Sequence, residues 1–138
     1  MKFQLLILLS IFLSLTFFIS CKKKSGSYTA SNTDLKGNVT LYVHAVHHTY
    51  TLANITVYLK KGATLYPGTD PNSYDYKVVT DANGVAEFDQ LPLGAVWIYG
   101  LGMDTYINRS VTGNTGIELS QSYVGRDNKT DLTLYVSE

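Results

Sequence analysis

Apolar and polar residues alternate with a period of two from about Gly37 to the end of the chain, and this pattern constrains the fold most. In NVTLYVHAV, Val39, Leu41 and Val43 fall on one face, and the stretch ITVYLKK that begins at Ile55 repeats the pattern. Successive side chains of a strand point to opposite faces, so the alternation indicates half-buried strands. No stretch of helical period is long enough for a helix here, which predicts an all-β domain.

Short turn signals separate the candidate strands. DANG, which ends at Gly84, places Asn-Gly where a tight hairpin needs positive φ, and a Gly113-Asn114 pair is interpreted as another turn. The strand candidates are NVTLYVHAV, ITVYLKK, YDYKVVT, VAEFDQL, AVWIYGLGM, SVTGNTGIELS and TDLTLYVS. The pattern predicts an antiparallel β-sandwich of about seven strands. Roughly a hundred residues are enough to bury one such core.

The first twenty residues carry a different pattern. Lys2 precedes an apolar run, residues 5–19, that contains no charge, proline or glycine. A basic start followed by such a run is typical of a secretory signal. The run is about fifteen residues long, whereas ~20 are needed to span a bilayer comfortably. A transmembrane anchor flanked by the lysines that follow remains an alternative.

The only cysteine of the chain, Cys21, ends this run. The sequence Phe18-Ile19-Ser20-Cys21 resembles the lipobox of bacterial lipoproteins, with Phe18 where leucine is commoner. The resemblance implies cleavage between Ser20 and Cys21 and a diacylglycerol on the Cys21 sulfur. Residues 1–20 are therefore interpreted as a lipoprotein signal peptide.

Three lysines and a small polar stretch, SGSYTASNTDLK, follow the cysteine. We interpret residues 21–36 as the lipidated cysteine with a flexible linker, and residues 37–138 as the folded domain. Several acyl chains, which bury CH₂ groups worth ~0.8 kcal/mol each, anchor a protein stably in a lipid bilayer. The sequence thus predicts a lipid-anchored envelope protein. The outer membrane is favoured, because Lys22 is not the aspartate that retains some lipoproteins in the inner membrane.

The charge distribution argues against one class of partner. The chain has 11 basic and 11 acidic residues. Four of the lysines precede Ser25, so seven bases face eleven acids in the remainder of the chain. Nucleic-acid binding needs a basic face, which this mildly acidic body does not supply.

A longer pattern surrounds the DANG turn, T-D-x-x-G-x-x-x-F-x-x-L-P-x-G. Its fixed positions are Thr80, Asp81, Gly84, Phe88, Leu91, Pro92 and Gly94. With the strands around it, residues 37–102, this pattern resembles the carboxypeptidase-regulatory-like, or transthyretin-like, β-sandwich. The combination with a CKKK start is similar to small lipoproteins of Bacteroidetes-type bacteria. The resemblance implies a folding or adhesion module with no catalytic residues and no cofactor of its own.

The three histidines, His44, His47 and His48, lie within five residues and suggest a metal site. On one strand, His44 and His48 would share a face at ~13 Å, too far apart for one ion, and His47 would point the other way. A metal site therefore needs a bend at His47 and loop carboxylates. The candidates are Asp70, Asp75 and Asp104. The alternative is that these histidines hydrogen-bond to neighbouring loops at a strand end.

Five aromatic residues occupy strand positions opposite the aliphatic face. They are Tyr42, Tyr58, Trp97, Tyr99 and Tyr135. If their strands pair suitably, they form a patch that stacks on sugar rings or on a protein partner. The alternatives are that a polar sheet face tolerates tyrosine or that loops cover it.

The sequence has no motif that indicates catalysis. It contains neither the G-x-S-x-G of a nucleophile elbow nor a glycine-rich phosphate loop. The leading hypothesis is a membrane-anchored, non-enzymatic binding or structural module of the cell envelope, with an envelope protein or a glycan as partner. A metal-binding accessory protein is the second hypothesis, and a small hydrolase is the least favoured.

Overall fold

The computed structural model describes residues 39–124 and 126–138. The predicted signal peptide (residues 1–20) and the predicted anchor and linker (residues 21–36) lie outside the described residues. In the part that is described, no helix combines the length and the apolar character needed to cross a membrane.

The described chain forms two four-stranded sheets packed face to face. The strands are β1 (Val39–His47), β2 (Tyr50–Thr51), β3 (Thr56–Lys61), β4 (Tyr76–Val79), β5 (Val85–Leu91), β6 (Gly94–Asp104), β7 (Arg109–Leu119) and β8 (Lys129–Tyr135). The only helical elements among the described residues are a 3₁₀ turn, Pro71–Ser73, and a short helix, α1 (Gln121–Val124). The all-β sandwich predicted from the alternation is confirmed.

In the first sheet, β1 is the central strand. Along one edge it pairs antiparallel with β5, and at the C-terminal end of β1 the short strand β2 pairs with the same edge. On the other edge, β8 runs parallel to β1, with Thr40 opposite Lys129. This pair departs from the antiparallel expectation because β7 ends where β1 begins. The chain therefore crosses between the sheets at that end and starts β8 beside the start of β1.

The second sheet has the antiparallel order β4-β3-β6-β7. The predicted turn at Gly113-Asn114 is wrong, because β7 continues through both residues in unbroken register with β6. Gly113 is needed for another reason: a Cβ atom there would overlap the carbonyl oxygen of Tyr135. The glycine thus marks a close approach of two backbone segments.

The core lies between the sheets and consists of the alternating residues that the pattern singled out. Val39, Leu41 and Val43 of β1 are fully buried, as are Val57 and Leu59 of β3. Burial of a valine or leucine side chain contributes roughly 1.5–3 kcal/mol, so these alternating positions determine which face of each strand points inward.

The predicted turn at DANG is present, but it does not form a hairpin, because β4 before it and β5 after it belong to different sheets. Of the Asn-Gly pair, only the glycine has a positive φ. Gly84 has a φ of +78°, which a glycine adopts without strain. The side chain of Asp81 accepts hydrogen bonds from the backbone N–H groups of Asn83 and Val85, both at 2.9 Å. The turn therefore sets the start of β5.

Candidate functional site

The five aromatic residues do not form one patch, because their strands belong to different sheets. Tyr58 and Tyr99 lie opposite each other on β3 and β6, and Trp97 lies two residues along β6. Tyr42 and Tyr135 belong to β1 and β8 of the other sheet. The expectation of a single patch is therefore wrong for Tyr42 and Tyr135.

The loop between β3 and β4 covers part of the remaining aromatic surface. Its Tyr74 stacks on Tyr99, with ring centroids 5.9 Å apart, and lies 5.7 Å from the ring of Tyr58. Tyr58 and Tyr99 are consequently only 9% and 5% exposed. The Tyr74 hydroxyl donates a 2.7 Å hydrogen bond to the Gly68 carbonyl oxygen, and burial raises the pKa of Tyr74 to about 12. Tyr74 thus stays neutral at physiological pH and covers the rings of Tyr58 and Tyr99.

Trp97 stays partly exposed and lines a groove of about 320 Å³ on the outer face of the second sheet. The other residues of the groove come from the loop and from β6 and β7, and they are Ala63, Thr64, Ala95, Gly116, Ile117 and Glu118. The ring of Tyr66, also from the loop, lies 6.3 Å from the Trp97 ring. The groove therefore combines an aromatic wall with the polar groups of Thr64 and Glu118.

The indole of Trp97 is held in place by β7. A Cβ atom on Gly116 would lie 2.6 Å from Cζ3 of the indole, so the ring rests directly against the glycine. The indole Nε1 donates a 3.3 Å hydrogen bond to Oδ1 of Asn114. Gly116 and Asn114 thus position the ring before any ligand binds.

Two of the predicted metal ligands, Asp70 and Asp75, form hydrogen bonds that hold the loop. Asp75 accepts a 2.7 Å hydrogen bond from the Lys61 backbone and pairs with Lys60 at 3.0 Å. The backbone hydrogen bond, with help from Lys60, lowers the pKa of Asp75. Asp70 caps the 3₁₀ turn by accepting a 3.0 Å bond from the Asn72 backbone. Both aspartates therefore fix the segment that carries Tyr66 and Tyr74.

The third predicted carboxylate, Asp104, forms a buried network with His47. Nδ1 of His47 lies 2.7 Å from Oδ2 of Asp104, and the Tyr50 hydroxyl donates to the same oxygen at 2.6 Å. Asp104 and His47 are 0% and 3% exposed. Burial alone would raise the pKa of Asp104, but the hydrogen bonds from Tyr50, His47 and the backbone outweigh it and lower the pKa to about 2. The hydrogen bond to Asp104 in turn raises the pKa of Tyr50 to about 12.

The three histidines do not converge on a common point, although the ring of His48 lies beside that of His47. His44 lies on the outer sheet face, with its Nε2 2.7 Å from Oδ1 of Asp131. The ring of His48 lies 4.1 Å from that of His47. Across the described ranges, no group of three or more His, Cys, Asp and Glu side chains is arranged to hold a metal ion. Metal binding by the histidines therefore stays a prediction, and the described residues offer no third ligand for it.

We expect replacement of Asp104 by asparagine to remove part of the acid sensitivity of the fold. A carboxyl group with a folded pKa of about 2 and a higher unfolded pKa stabilises the protein above the unfolded value. That contribution is lost as the pH falls toward 2. Urea unfolding measured at pH values between the folded and the unfolded pKa of Asp104 should show that the wild type loses stability more steeply than the variant as the pH falls. Equal slopes would contradict the role of Asp104.

No protein-family model and no curated protein matches the chain. A Pseudomonas aeruginosa protein provisionally named as carbohydrate binding is 14% identical, with 73% of this chain and 90% of that chain covered and a TM-score of 0.47. The SpaB basal pilin of Lactobacillus rhamnosus GG is 18% identical, with 75% and 99% covered and a TM-score of 0.46. The major pilin subunit of Bacillus cereus is 12% identical with a TM-score of 0.48, and this chain covers 30% of it. These likenesses concern general β-sandwich architecture alone.

Proposed function

We propose that this protein is a non-enzymatic binding module of the bacterial cell envelope, anchored through acylated Cys21, whose groove beside Trp97 binds a carbohydrate. The observation that carries the proposal is the indole, which is held against Gly116 and lines an open groove. A preorganised aromatic ring costs no ordering entropy when the ligand arrives. The anchor is supported by the sequence of residues 18–21.

The chemistry of the groove suits a sugar. The C–H faces of a pyranose pack against an aromatic ring, and its hydroxyls need hydrogen-bonding partners at the rim. Thr64 and Glu118 supply such partners within the groove. A volume of about 320 Å³ lies at the lower end of the range of small-ligand sites, ~300–1,000 Å³, which favours one or two sugar units.

The groove lies at the end of the sandwich where β1 begins. Val39, the first residue of β1, pairs with Leu91 at the end of β5. From Leu91 the chain continues into β6, whose Ala95 lines the groove. Residues 22–38 span at most ~60 Å when fully extended. A lipid anchor at Cys21 would therefore keep the groove within reach of glycans that lie close to the membrane.

The test is a glycan array followed by calorimetry with the mature full-length protein. We expect Trp97→Ala and Tyr66→Ala each to weaken binding of the selected glycan, the former by about tenfold or more, because a central aromatic contact contributes ~1–2 kcal/mol. Tyr135→Ala is the matched control, since Tyr135 is 71% exposed and belongs to the other sheet. Absence of any bound glycan, or unchanged affinity in Trp97→Ala, would refute the proposal.

A further inference from the structure

The outer edge of β7 carries backbone groups that point away from the sheet. Thr112 and Ser137 exchange two hydrogen bonds of 2.8 Å across this edge. Because the register with β6 is unbroken, every second residue has the same outward direction. Among the described residues, no other backbone group bonds outward to Asn114, Gly116 or Glu118. Within the described part of the chain, the edge is therefore open along residues 114–118.

The other sheet edges are protected in ways that β7 is not. β4 is only four residues long and carries Lys77. β5 carries Glu87 and Asp89, and its register with β1 is interrupted. At β8, the Tyr123 hydroxyl donates to the Asp131 carbonyl oxygen at 3.3 Å. Short length, charge, irregularity and cover are the usual means of blocking strand addition.

By contrast, β7 is eleven residues long, and its charges are confined to Arg109 and Glu118 near its two ends. It contains no proline and no residue with positive φ. A long, regular edge with few charges is a template for pairing with another extended chain. Residues 114–118 thus have the properties of a strand-addition site.

The same edge already accepts extended chain from within the protein. Ser137 pairs antiparallel with Thr112, directly beside the open stretch. The two residues before Ser137 pass so close to β7 that a Cβ atom on Gly113 would overlap the carbonyl oxygen of Tyr135. An added strand beside residues 114–118 would lie antiparallel to β7, in the direction that Ser137 already takes.

We propose that residues 114–118 of β7 bind an extended peptide segment of a partner protein as an additional antiparallel strand. The side chain opposite Gly116 would meet no Cβ atom and would reach the indole of Trp97, so a bulky residue fits there. Glu118 favours a lysine or arginine opposite it. The partner is thus an extended segment with a basic residue two positions before a bulky one. The argument rests on the backbone edge of β7, although the peptide would also contact Trp97 and Glu118, which line the proposed carbohydrate groove.

The probe is a capped peptide, Thr-Lys-Val-Tyr-Val-Thr-Thr, that places Lys opposite Glu118 and Tyr opposite Gly116. Amide hydrogen exchange is followed by NMR on the mature full-length protein. We expect saturating peptide to slow exchange of Asn114, Gly116 and Glu118 about tenfold or more. The amides of Thr115 and Ile117 should change little, because they already face β6. The matched control peptide has its Lys and Tyr amides N-methylated and should give no protection.

A charge reversal tests the side-chain part of the proposal. Glu118→Lys should weaken the lysine peptide about fivefold or more, and a peptide with Glu in place of Lys should recover the loss. Absence of protection, or equal protection by the N-methylated peptide, would overturn the strand-addition proposal. Protection that grows with protein concentration without peptide would assign the edge to a second copy of this chain and would overturn it as well.

Discussion

Replacement of Cys21 by serine is expected to move the protein almost completely from the membrane fraction to the soluble fraction. Serine has no thiol to accept a diacylglycerol, so the acyl chains that contribute ~0.8 kcal/mol per buried CH₂ are lost. The three lysines that follow contribute only ~1 kcal/mol each near an anionic surface, and salt screens them. Membrane fractionation in moderate salt measures the change.

Mass spectrometry of the same samples distinguishes the anchor from its alternative. The mature wild type should begin at Cys21 and carry additional acyl mass. Lys23→Ala, which changes the charge but not the thiol, is the control and should remain in the membrane fraction. If Cys21→Ser stays membrane-bound with residues 1–20 intact, the segment is a transmembrane anchor and the lipoprotein interpretation is wrong.

Replacement of Gly113 by alanine is expected to lower the free energy of unfolding by about 1–3 kcal/mol, the usual cost of overpacking. The new methyl group would overlap the Tyr135 carbonyl oxygen and would lie 3.0 Å from the Val136 Cα. These are backbone atoms, which cannot turn aside as a side chain does. Relief requires the segment after β8 to move away from β7, which breaks the two Thr112–Ser137 hydrogen bonds.

Urea unfolding followed by Trp97 fluorescence measures this cost, because the chain has a single tryptophan. Thr112→Ala is the matched control, since it changes the neighbouring residue, which is exposed, and adds no atom. It should cost only a few tenths of a kcal/mol. Equal destabilisation by the two substitutions would show that the approach of β8 to β7 does not constrain residue 113.

The strands were predictable from the sequence wherever one face of a strand is buried. Val39, Leu41 and Val43 alternate with polar residues because β1 packs its inner face against the other sheet. Glycine was misleading at Gly113, since a glycine that admits a neighbouring backbone is indistinguishable in sequence from one that forms a turn. The distinction depends on a contact with Tyr135 that no local pattern encodes.

The candidate site was only partly predictable. Trp97 was identified from strand alternation, but its neighbour Tyr66 lies in an irregular loop without periodicity. The pairing of His47 with Asp104 joins residues 57 positions apart, and only the meeting of β1 and β6 at one end of the sandwich brings them together. Alternation assigns a side chain to a face, whereas the assignment of strands to sheets is a property of the whole fold.

The parallel pairing of β1 and β8, the first and last of the described strands, has a consequence for folding. The contact of His44 with Asp131 joins positions 87 residues apart, and β1 is the centre of its sheet. Pairs so distant in sequence form slowly, because a long loop must close before the contact is made. One edge of β1 therefore stays open until β8 has been synthesised. If the chain is exported as we propose, this delay favours the unfolded form that passage through a secretion channel requires.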